Sequence, residues 1–136
     1  MPSLLTPADQ ALFESKPGLC LVLDPALRIV AQNDALAQAT MTRPEETLGK
    51  FLFEIFPDNP NCNAADGVSV LRQSLLNVLK TRAADIIPSF KFDIAPAEGG
   101  RYVPRFWRVV NTPVLDDEGF VRLIINQVED LTVLLE

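Results

Sequence analysis

The sequence predicts an α+β domain built on an antiparallel five-stranded sheet. Short apolar, β-branched runs near both ends read as strands, and the longest helical periodicity lies between them. Two of those runs, Arg105 to Val114 and Phe120 to Val128, flank the acidic turn Leu115-Asp116-Asp117-Glu118-Gly119 and so form a long hairpin. No internal repeat, linker or low-complexity tract interrupts the 136 residues, a length that fits one domain.

Each element has a local reason. Thr6-Pro7-Ala8-Asp9 starts a helix, with Thr as N-cap, Pro at the first helical position and Asp in the first turn. Leu4, Leu5, Ala8, Leu12 and Phe13 give that helix an apolar stripe, and Pro17-Gly18 stops it. Leu19 to Leu23 is too short between such breakers to be a helix and reads as a strand. Asp24-Pro25-Ala26 turns the chain into a partner strand, Leu27 to Gln32. Asn33-Asp34 caps a second helix over Ala35 to Ala39, and Arg43 to Gly49 holds a further short turn. Phe51 to Phe56 is an aromatic cluster halted by Pro57, and a loop follows to Asp66. Gly67 to Thr81 is the longest helix, with Val68, Leu71, Leu75, Val78 and Leu79 at helical spacing. Ile86 to Ile94 is a strand that Pro88 marks as an edge or a bulge. The stretch from Ala95 to Gly100 turns the chain into the closing hairpin.

Composition removes whole classes of function. The net charge of -6 opposes nucleic-acid binding, which needs a basic face, and opposes docking on anionic lipid. No apolar stretch approaches the roughly 20 residues of a membrane helix, and the N-terminus lacks the basic and apolar regions of a signal peptide. A cytoplasmic, reducing location is expected, with Cys20 as a small core residue and Cys62 as a loop thiol. The absence of histidine rules out Ser-His and Cys-His catalysis, haem held by histidine and most zinc sites. It also means that this segment is not itself a histidine-phosphorylating kinase core.

Leu21-Val-Leu-Asp24 with Ile29-Val-Ala-Gln-Asn33 resembles the opening hairpin and helix-capping Asn of a PAS domain. Glu46-Thr-Leu-Gly49-Lys50 is similar to the segment before that family's central helices. Asn111-Thr-Pro113 through Gly119, followed by Val128-Glu-Asp130-Leu-Thr132, resembles its closing hairpin and exit motif. The resemblance spans about Leu12 to Thr132 and implies a PAS fold with the helices on one face of the sheet. It divides the chain into a flanking amphipathic helix (1–15), the domain (16–132) and the start of a linker (133–136). It implies a sensory module of a bacterial signalling protein, with a sensor histidine kinase as the expected whole. Its partners would be an effector domain following in the same chain and a second copy, docked through the N-terminal helix and the sheet. Asp130 and Thr132 would transmit the signal, with Val133 to Leu135 opening the linker.

Departures from the family narrow the ligand. Its flavin photoreceptors carry a cysteine in an Asn-Cys-Arg-Phe-Leu-Gln helix, and the comparable stretch here, Gly49-Lys-Phe-Leu-Phe-Glu54, has none. That argues against a covalent flavin photoadduct and leaves open a non-covalent flavin, a small organic ligand or none. Period-2 alternation groups Trp107, Val109 and Asn111 on one strand face, and Ile124, Asn126 and Val128 on another. The resemblance turns these faces toward the helices, so Trp107, Asn111 and Asn126 would line a cavity near Phe53, Phe56 and Phe92. Buried amides need partners, which a ligand's polar edge or the protein's own groups could supply. Arg101, Arg105 and Arg108 either clamp an anion or sit on a solvated face.

Two other classes compete with a ligand sensor. A ligand-free interaction module would use the first helix and the outer sheet face for a homodimer. A small α+β enzyme such as an isomerase would need a perturbed carboxylate in an apolar pocket, and Glu14, Glu54 and Glu129 form no recognisable acid–base pair.

Overall fold

The computed structural model describes residues 5–16, 18–62, 64–95 and 101–135. Leu4 of the expected stripe, the stop at Pro17, the turn over residues 96–100 and Glu136 lie outside the described residues.

Helix α1 (Pro7–Glu14) begins at a full capping box: Thr6 Oγ1 accepts from the Asp9 N–H, and Asp9 accepts from the Thr6 N–H. Strands β1 (Leu19–Leu23) and β2 (Ile29–Gln32) follow as a hairpin. Asn33 then caps α2 (Asp34–Thr40), accepting from the N–H groups of Leu36 and Cys20 and donating to the Gly18 carbonyl. One side chain thus fastens a helix start to a strand. Short helices α3 (Pro44–Thr47) and α4 (Leu52–Ile55) precede the long α5 (Gly67–Thr81). The last strands are β3 (Asp85–Lys91), β4 (Phe106–Leu115) and β5 (Val121–Asp130), and the single turn α6 (Thr132–Leu135) follows β5.

The sheet has the order β2-β1-β5-β4-β3 and every described pairing is antiparallel. Edge strand β3 is irregular between Ile87 and Phe90, where Pro88 sits; the missing N–H of proline is accommodated at a bulge on an edge. Helices α2 to α5 cover one face. Their core joins Leu36, Leu52, Leu71, Leu75 and Val78 to Leu21, Leu23, Ile29, Trp107, Val109 and Ile124 of the sheet. The periodic residues of α5 point where the 3.6-residue repeat places them.

Helix α1 departs from the one-sided arrangement and packs on the opposite face. Leu5 and Phe13 there join Cys20, Val22, Val30, Leu123 and Ile125. Of the expected apolar stripe, Leu5 and Phe13 are buried against the chain's own sheet, while Ala8 and Leu12 stay exposed. Burial leaves Cys20 wholly inaccessible and pushes its thiol up to about 11.

An ion pair locks α1 in place. Asp9, 7% exposed, accepts from both terminal nitrogens of Arg122, each at 2.6 Å. Register shifts between Val114 and Leu115, leaving Arg122 as the extra residue of a bulge and so free to turn toward α1. The Arg122 hydrogen bonds hold the Asp9 carboxyl far below the usual carboxylate range, against the desolvation that raises it.

A depressed folded-state pKa stabilises the protein above the unfolded value, about 3.9, and the benefit fades as pH falls through that value toward the folded one. Asp9→Asn should cost about 2 kcal/mol at pH 7, the worth of a hydrogen bond to a charged group. Urea unfolding at pH 7 and pH 3 checks this: the gap between wild type and Asp9→Asn should shrink at pH 3. A constant gap would contradict the clamp.

Candidate ligand cavity and exit turn

The cavity lies between the sheet and the covering helices and measures about 60 Å³. Strands β1, β4 and β5 supply Leu21, Trp107, Val109, Asn126 and Val128. The helices supply Leu36, Thr40, Leu52 and Leu71, and Phe56, Phe90, Phe92 and Ile94 complete the wall. Alternation along each strand places these residues inward together, while Arg108, Val110 and Gln127 belong to the other face.

Trp107, Asn126, Phe56 and Phe92 stand where the sequence suggested. The Trp107 indole N–H donates to the Phe92 carbonyl at 2.9 Å, so its polar edge is satisfied by the edge strand and its ring is left to the cavity. Asn111 sits one step behind the wall. Its side chain is wholly buried and accepts from Asn126 Nδ2 at 2.7 Å.

Asn111, expected in the wall, thus stands behind it, and Phe53, expected nearby, packs against the core without lining the cavity. Helix α4 is one turn long, and Leu52 and Phe56, four residues apart, face inward, which turns Phe53 sideways beneath the Arg72 guanidinium at 4.9 Å. The arginines of the hairpin do not line the cavity either. Arg105 pairs with Asp130 at 3.5 Å, and Arg108 is exposed opposite Glu129.

Sequence reasoning missed two polar chains. In the first, Asn126 Nδ2 donates to Asn111 Oδ1, Asn111 Nδ2 donates to Ser74 Oγ at 2.9 Å, and Ser74 donates to Asp85 Oδ2 at 2.6 Å. Asp85, Asn111 and Asn126 are direct cross-strand neighbours, so one row of the sheet carries three of the four members. In the second, Thr47 donates to Gln32 Oε1, Gln32 Nε2 donates to Thr42, and Thr42 meets Thr40 at 2.9 Å. Thr40 in turn donates to the Leu36 carbonyl. The alternation of Asn111 and Asn126 was a signal for the first chain, whereas nothing in the spacing of the four threonine and glutamine residues announced the second.

The exit turn is built around Asp130. Its Oδ1 accepts from the Thr132 N–H at 2.9 Å and from the Thr132 hydroxyl at 2.5 Å. Thr132 Oγ1 accepts from the Phe106 N–H, and the Leu131 N–H donates to the Phe106 carbonyl. Two of these bonds close the turn on itself, and two tie it to the beginning of β4, beside Trp107. Among the described residues, no helix is long and apolar enough to cross a membrane, and no cluster of ligating side chains suits a metal ion.

Close approach of α5 to the cavity depends on Gly67, the first residue of that helix. A Cβ there would lie 2.7 Å from Phe92 Cδ2 and 3.0 Å from the Lys91 carbonyl oxygen. Gly67→Ala should force the Phe92 ring aside and cost about 1–3 kcal/mol by overpacking. Thermal unfolding of Gly67→Ala with and without Phe92→Leu tests the contact: the smaller side chain should recover part of the loss.

The family model described as the PAS fold matches residues 13–135. No curated protein matches the chain in sequence. Similar solved structures include a sensory box sensor histidine kinase from Vibrio cholerae, 15% identical, covering 90% of this chain and 88% of that one at a TM-score of 0.62. The PAS domain of the fruit-fly ELK potassium channel is also 15% identical, covering 94% and 99% at 0.62. An RNA-binding light-oxygen-voltage receptor is 18% identical, covering 99% of this chain and 35% of that one at 0.64. Such distant identities speak for the fold alone, and the family match over nearly the whole length supplies the rest: the chain belongs to the PAS family.

Proposed function

We propose that this PAS domain senses a small neutral organic molecule in its cavity and passes the occupancy through Asp130 and Thr132 to an effector following in the same chain. One observation carries the reading. Trp107 forms part of the cavity wall and is the cross-strand partner of Asp130, whose carboxylate holds the exit turn. A ligand that repositions the indole acts on the strand pair to which the exit is bonded. The requirement is a ligand that binds one of two packings better than the other.

The cavity volume, about 60 Å³, is far below the roughly 300–1,000 Å³ of drug-sized sites, which favours a small molecule over a non-covalent flavin. Val133 and Leu134 are 89% and 77% exposed, as suits the first turn of a helix that another segment covers. Likeness to the Vibrio cholerae protein supports a bacterial sensor histidine kinase as the whole, and a cytoplasmic setting is part of the proposal. The role is sensory. Among the described residues, the carboxyl held far from its usual range is Asp9, and Arg122 holds it on the opposite face of the sheet from the cavity.

A second reading draws on the outer face around Ile86, which is 53% exposed and lies outside the cluster that α1 covers. It makes the domain a ligand-free interaction module that pairs with a second copy.

Trp107 is the sole tryptophan, so its emission reports the cavity directly. Titration with a panel of small neutral organic molecules should shift that emission and alter hydrogen exchange at the Leu131 and Thr132 amides. Thr132→Val should keep the fluorescence response and lose most of the response at the exit. If no molecule shifts Trp107 emission, the sensing reading fails and the interaction module stands.

A further inference from the structure

We infer that the cavity selects a neutral ligand carrying an N–H or O–H donor, because its wall offers the Asn126 oxygen as an acceptor and turns its donors away. The inference rests on the cavity being the sensing site and goes further by naming the chemistry of its occupant.

The direction of the first polar chain follows from its far end. Asp85 carries a carboxylate, which can only accept, so Ser74 must give its proton to Oδ2. The Ser74 oxygen is then left to accept, and Asn111 must turn its Nδ2 toward it. That places Asn111 Oδ1 against Asn126, which must answer with Nδ2. Each link has one solution once the carboxylate is given. The outcome at the near end is that Asn126 commits its amide nitrogen to the sheet. Among the described residues no hydrogen bond engages its Oδ1, which is the acceptor it offers to the cavity it lines.

The other polar side chains of the wall agree. The Trp107 N–H is consumed by the Phe92 carbonyl, and the Thr40 hydroxyl proton by the Leu36 carbonyl. Everything else around them is aliphatic or aromatic. A carboxylate or phosphate entering this space would lose its water and meet the Asn126 oxygen with no free donor, so anions are rejected. A molecule with one donor and an apolar body finds its partner in Asn126. A pure hydrogen-bond acceptor of the same shape finds none, and leaves the Asn126 oxygen desolvated.

The pair pyrrole and furan tests this, since the two rings are nearly isosteric and differ in having an N–H donor or only a ring oxygen. NMR titration of the intact chain should show pyrrole binding about five- to tenfold more tightly than furan, the worth of one hydrogen bond. Asp85→Asn can accept from or donate to Ser74, so it frees the polarity and should bring the ratio toward one. Ser74→Ala, which cuts the chain, should do the same. A readout without ligand is the coupling across the hydrogen bond, expected from Asn126 Nδ2 to the Asn111 side-chain carbonyl. Equal binding of the two probes, a preference for furan, an unchanged ratio in both variants, or a coupling running from Asn111 Nδ2 to Asn126 would overturn the assignment alone. Absence of binding by either probe would overturn the occupancy of the cavity, and the assignment with it.

Discussion

Asn111 is the constraint around which the domain is arranged. Its amide is wholly buried at the centre of the sheet, and leaving such a group unpaired costs about 1–3 kcal/mol. Meeting that demand requires Ser74 from α5, Asn126 from β5 and, through Ser74, Asp85 from β3. The long helix is thereby registered against three strands by directional bonds, on top of apolar contacts that specify no direction. Apolar packing holds α5 to the sheet; the polar chain decides where along the sheet it sits.

The two faces of β5 divide the work. Inward residues Ile124, Asn126 and Val128 serve the core and cavity, while Leu123 and Ile125 receive α1 on the other side. A single bulge at Arg122 adds the ion pair that fixes α1. The strand ends at Asp130, whose carboxylate closes the exit turn onto the start of β4. Cavity wall, flanking helix and exit turn thus share one strand, and a displacement of that strand reaches all three.

Much of this was legible in the residues. The period-2 faces of β4 and β5 correctly grouped Trp107 with Asn111, and Asn126 with Val128, because alternation is enforced by the backbone itself. The α5 stripe and the Asn33 cap were legible for the same local reason. The sideways turn of Phe53 was not legible because a one-turn helix has too few residues for its apolar side to show as a periodicity. The side of the sheet taken by α1 was hidden because its partner Arg122 lies 113 residues away and is re-aimed by a bulge. Ser74 and Asp85 escaped notice since a serine on a helix and an aspartate at a strand start are usually solvated, and only the fold brings them to Asn111.

In the proposed mechanism the state of the cavity is felt at Asp130 and Thr132 through Trp107. Filling the cavity from within tests it most directly. Leu36→Phe adds volume at the wall without any ligand, and hydrogen exchange then reads the Leu131 and Thr132 amides, bonded to Phe106 and Asp130. Their protection should change in Leu36→Phe together with Trp107 emission. Altered emission with unchanged protection at both amides would contradict that mechanism.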